Sequence, residues 1–114
     1  MKPNEIVKFT RTIAKRLKIK TPRVSFAYRN NGLADLKGYQ IIYPRQLVLY
    51  PIVYQMYYIV HELVHFITGA AHDFKFRCVE LYLLRKLNIK PVYNGIYISH
   101  LYNLAGEKLY TFNG

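Results

Sequence analysis

Acidic side chains are scarce in this chain of 114 residues: six Asp and Glu stand against seventeen Lys and Arg, for a formal net charge of +11. The resulting positive field attracts phosphate backbones, anionic lipids or acidic proteins, without choosing among them. Cysteine is scarcer still. The single thiol, Cys78, excludes an intramolecular disulfide and any cysteine-based zinc ribbon, because each needs several sulfurs, and it is expected to pack in the core. No apolar run reaches the roughly 18 residues of a membrane span, and Met1 is followed by Lys2, Pro3, Asn4 and Glu5 rather than by an apolar signal segment. A soluble, cytoplasmic protein without a membrane partner is therefore expected. Gly/Ser/Pro-rich tracts, linkers and repeats are also missing, and 52% of the residues are hydrophobic against 20% charged, so residues 1–114 are read as one ordered domain acting as a monomer.

What is present reads as an α+β chain. Between Asn4 and about Lys18, Ile6, Phe9, Ile13 and Leu17 recur at helical spacing, with Lys8, Arg11, Lys15 and Lys18 on another face. This basic amphipathic helix suits either a solvated surface or a nucleic-acid contact. Arg23 to Tyr28 alternates as a half-buried strand and Asn30-Asn31-Gly32 breaks it; Gly38 to Tyr43 and Gln46 to Tyr50 follow as extended pieces around Pro44-Arg45. Together they predict a small, mainly antiparallel sheet of about three strands. Ile52 to Thr68 is apolar or aromatic almost throughout and predicts a helix buried on most sides, with Gly69 as its stop. A second helix is expected from Asp73 to Asn88, with Phe76, Val79, Leu83 and Leu87 as its apolar stripe and Pro91 beyond its end. The tail from Tyr93 to Phe112 suggests a hairpin.

Into that apolar helix the chain sets His61, Glu62 and His65, as H-E-x-x-H. At about 100° per residue the two histidines lie one turn apart on one face, where they can hold one ion, and Glu62 falls on the same flank. Two imidazoles ligating zinc beside a carboxylate that takes a proton from water is the chemistry of this pattern. Two core histidines and an unpaired glutamate would instead leave a buried carboxylate costing several kcal/mol. A catalytic zinc site usually has three protein ligands. On a continuous helix His72 would lie about 10 Å beyond His65 along the axis, so it can join only if the chain reverses at Gly69-Ala70-Ala71. His72 is the favoured third ligand; Glu80, which would give a His-His-Glu site, Asp73 and His100 compete with it. His100 otherwise reads as an ordinary strand or surface histidine.

The stretch HELVHFITGAAHDFKF resembles the zincin metallopeptidases, and more narrowly the SprT-like and WLM group that includes the Spartan DNA-protein crosslink proteases. His61, Glu62, Leu63 and His65 match the H-E-L-x-H of that group, His72 its third ligand and Phe76 the aromatic residue a turn later. Metzincins space the motif as H-E-x-x-H-x-x-G-x-x-H, one residue shorter to both Gly69 and His72. The resemblance implies a minimal zincin-like core without the cysteine ribbon, Zn2+ as cofactor, a protein or peptide substrate, and hydrolysis with His61, His65 and His72 as ligands and Glu62 as general base. It also implies that substrate pairs with a sheet edge, for which Gln46 to Tyr50 and Gly38 to Tyr43 are the candidates. DNA is the further expected partner, through Lys8, Arg11, Lys15 and Lys18. Two rival readings stay open: a nucleic-acid-binding module with a structural metal, and a zincin fold that has lost activity and binds a protein. Iron, cobalt or nickel also suit three histidines.

Overall fold

The computed structural model of the chain describes residues 1–95 and 97–112; Ile96, inside the expected hairpin, lies outside them. Three helices and two three-stranded sheets follow the order α1 (Pro3–Arg16), β1 (Arg23–Ala27), β2 (Leu33–Asp35), β3 (Gln40–Pro44), α2 (Ile52–Thr68), α3 (Phe74–Lys86), β4 (Lys90–Asn94), β5 (Tyr97–Tyr102) and β6 (Lys108–Thr111). The architecture is α+β.

Local chemistry sets the helix ends. Pro3 occupies the first turn of α1 and Glu5 accepts from the Lys2 backbone N–H at 2.9 Å. At the other end Lys18 turns left-handed (φ 57°) and the Ile19 N–H reaches back to the Ala14 carbonyl. The helix therefore stops before Lys18, which lies outside α1 and its basic face. Asp73 caps α3, its Oδ1 accepting from the Phe76 N–H at 3.0 Å, and Asn88 (φ 62°) closes it as Lys18 closes α1.

In the first sheet the order is β1-β3-β2, with β1 parallel and β2 antiparallel to β3. The second is the antiparallel meander β4-β5-β6, so the expected tail hairpin gains a third strand. Pro91 sits in β4, at an edge of that meander, where sheets tolerate proline.

Three expectations need correction. The segment Gln46 to Tyr50 is no strand: Arg45–Leu49 forms a 3-10 turn. Leu47 is buried in the core, Val48 packs against it half-buried, Leu49 is exposed, and the Leu47 carbonyl is taken by the Gln55 side chain instead of a strand partner. Gly38 to Tyr43 is not a sheet edge either, because β3 lies in the middle of its sheet. The edge beside α2 is β2, three residues long and too short to show an alternation in sequence. Cys78 is exposed rather than core: it stands two residues from both Phe76 and Glu80, which α3 buries, and about 200° around the helix from each.

α2 lies between two cores. Ile59 and Leu63 pack with Ile6, Ile13, Ile41, Tyr43 and Leu47 from α1, β3 and the 3-10 turn. Val60 and Val64, on the adjoining flank, pack with Phe76, Leu83, Leu84, Ile89 and Leu101. Thr10, also buried, is satisfied by donating to the Ile6 carbonyl and by a 2.9 Å hydrogen bond with the Tyr43 hydroxyl. Among the described residues no helix is long and apolar enough to cross a membrane. Leu63→Ala opens a cavity where α1, α2 and β3 meet and should lower the unfolding free energy by about 2–5 kcal/mol in urea denaturation.

Candidate metal centre

The third flank of α2, between the two cores, carries Tyr54, Tyr57, Tyr58, His61 and His65 along a cleft of about 720 Å3. β2 and the residues before it form one wall of the cleft, and Tyr93, Tyr97 and Ile98 of the meander form the other. Glu62 stands where the cleft meets the first core and is 6% exposed.

The chain reverses after α2 as the small residues there allow. Gly69 takes φ 101° and ψ −170°, a conformation open essentially only to glycine, while its N–H still caps the His65 carbonyl. Ala70 and Ala71 then bring His72 back over the helix. Its Nε2 lies 3.2 Å from Nε2 of His61, and the potential ligand nitrogens of His61, His65 and His72 all fall within 4.8 Å of one another. Tetrahedral zinc with bonds of about 2.0–2.1 Å sets its ligand nitrogens about 3.3–3.4 Å apart, so the His61–His72 spacing matches that ion closely.

The far sides of the rings are fixed as well. His61 Nδ1 lies 2.6 Å from Glu80 Oε2, and because a carboxylate only accepts, the ring donates there and turns the Nε2 lone pair toward the cluster. His65 Nδ1 donates to the Gly69 carbonyl at 2.9 Å, leaving its own Nε2 likewise free. Phe76 of α3 touches all three rings, with centroid separations of 4.9, 4.7 and 4.9 Å to His61, His65 and His72. A donor set of three neutral imidazoles, with their outer nitrogens already engaged on two of the rings, suits zinc or another borderline divalent ion.

Electrostatics agree with that protonation. Burial lowers the pKa of His65 and of His72, and the neighbouring His61 charge lowers both further, which favours the neutral, ligating form. Burial raises the Glu62 carboxyl above its ordinary range, against the downward pull of His61 and Arg29. The cleft tyrosines Tyr57 and Tyr93 are pushed up by burial and by the Glu80 charge, so they remain hydroxyl donors.

Of the alternative third ligands, Glu80 faces the outer nitrogen of His61, Asp73 caps α3, and His100 sits on β5 beside Thr111 Oγ1 at 3.2 Å. The sequence reading missed Tyr93 and the β2 wall altogether. Glu80 did carry a signal: it stands four residues after Phe76 on the apolar stripe of α3, where a carboxylate needs a partner. No protein-family model, curated protein or solved structure matches this chain.

An added methyl at Gly69 would meet nothing within 4 Å, so the cost of Gly69→Ala is that of the backbone conformation alone. The variant should lose about 1–3 kcal/mol in chemical denaturation and bind metal more weakly, since the His65 acceptor moves with the turn.

Proposed function

We propose that this protein is a zinc-dependent metallopeptidase. One observation carries the reading: three imidazoles converge within 4.8 Å on the floor of a cleft that also holds a buried carboxylate, Glu62, next in sequence to one of them. The likeness of H-E-L-x-H, His72 and Phe76 to the SprT-like and WLM zincins supports it. Bound by His61, His65 and His72, zinc would supply Lewis acidity, polarising the scissile carbonyl and acidifying a water.

The chain's own residues account for the proton and for substrate placement. Glu62 is the general base. Its raised pKa suits it to take a proton from the attacking water, hold it in a poorly solvated site and pass it to the leaving amine. The Glu80 and Gly69 contacts keep His61 and His65 in one tautomer throughout. β2 pairs only with β3, so the other side of Leu33–Asp35 is the edge on which an extended peptide would add a strand, directly along the cleft.

Recruitment through DNA is the second part of the reading. Lys8, Arg11 and Lys15 are exposed on α1 and make no ion pair among the described residues. Those cations would equally serve a nucleic-acid-binding module with a structural metal. Glu62 favours the enzyme, because a structural site has no use for a buried, non-ligating carboxylate.

Purified protein should contain about one zinc, and Glu62→Gln should retain it while casein cleavage falls about 10²–10⁴-fold. Cleavage that survives the substitution rejects the general-base role. Affinity for single-stranded DNA should fall steeply with rising salt; a flat response removes the nucleic-acid partner.

A further inference from the structure

Beyond the three imidazoles, α3 and β4 contribute a buried polar chain. Glu80 is 1% exposed, yet both its oxygens are engaged: Oε2 by His61 Nδ1 at 2.6 Å and Oε1 by the Tyr93 hydroxyl at 2.7 Å. The Tyr57 hydroxyl lies 3.3 Å from the same His61 nitrogen. Arg77, one turn before Glu80, stacks on the Tyr93 ring at 4.7 Å and donates to the Gly95 carbonyl, which pins β4 against the helix. A carboxylate sealed from water is costly, and here the cost is offset by an imidazole N–H and a phenol, both aimed at it.

We propose that Glu80, held by Tyr93, is the positioning residue of the metal centre: it fixes His61 as the Nδ1–H tautomer, orients its Nε2 toward His65 and His72, and raises the basicity of that nitrogen. The inference rests on the metallopeptidase reading for its ion, but it assigns a role to two residues outside the H-E-x-x-H pattern. It also explains what the second sheet does for the site, since that sheet supplies no ligand of its own. His72 Nε2 lies opposite the nitrogen that Glu80 orients, across a gap of 3.2 Å. Losing the Glu80 charge would free the His61 ring to turn or change tautomer, and one of the three lone pairs would leave the cluster.

The test uses the full chain and the metals alone. Zn2+ affinity is measured by competition with a chelator, and site geometry by the visible absorption of bound Co2+, in the wild type and in the Glu80→Gln and Tyr93→Phe variants. Glu80→Gln keeps the size of the side chain and an oxygen acceptor but removes the charge. It should weaken Zn2+ binding about 10–100-fold and alter the Co2+ spectrum, with Tyr93→Phe showing a smaller loss in the same direction. Wild-type affinity and spectrum in Glu80→Gln overturn the inference alone, whereas a wild-type protein that takes up no metal overturns the metallopeptidase reading as well. If Glu80→Gln fails to fold, the tautomer decides. Nitrogen-15 NMR of the metal-free wild type at mildly alkaline pH should report His61 as Nδ1–H, and an Nε2–H ring rejects the proposal.

Discussion

The packing of α2 on two flanks at once is the constraint from which the rest of the structure follows. Its Ile59 and Leu63 belong to one core and its Val60 and Val64 to another, so only one side of the helix is left for polar chemistry. That side carries His61 and His65. Close packing around a helix confines its side chains to few rotamers, and a metal ligand benefits from that confinement because a misplaced ring costs affinity. The apolar character of α2 and the order of its histidines are therefore one property.

Scarcity of acid gives the charge distribution its logic. Glu5 steadies the start of α1; Asp35 accepts from the Gly38 backbone and the Gln40 amide; Asp73 caps α3; Glu80 meets His61 and Tyr93. Each of these carboxylates has a local task, so few remain to neutralise the basic surface, and the cations of α1 face solvent with their field uncompensated. Glu62 differs from the other four in facing the cleft with no hydrogen-bond donor to its carboxylate among the described residues, and desolvation is the largest influence on its ionisation.

Much of this was legible in the chain. Helical spacing of apolar residues located α1 and α3, and an almost unbroken apolar run ended by Gly69 located α2 to the residue. Gly69 and the alanines after it signalled the reversal that returns His72, since chain geometry forbids a shared ion on a continuous helix. Short elements were harder. β2 has three residues, too few for a period of two, and the apolar run Leu47-Val48-Leu49 was read as an extended piece although it forms a 3-10 turn. The orientation of Glu80 was beyond reach for another reason: whether a carboxylate on α3 meets the near or the far nitrogen of His61 depends on how two helices pack. A distance of a few ångströms between elements leaves no periodicity in sequence.

The three clustered imidazoles come from one short segment, residues 61 to 72, and among the described residues the flanking sheets add no ligand to them. Tying together groups so near in sequence closes only a small loop, and the entropy removed from the unfolded chain grows with the logarithm of loop length. An ion held there would thus act as a local clasp, ordering the end of α2 against the start of α3. The burden of keeping the chain folded stays with the two apolar clusters on either side, whose packing would outlast the loss of such an ion.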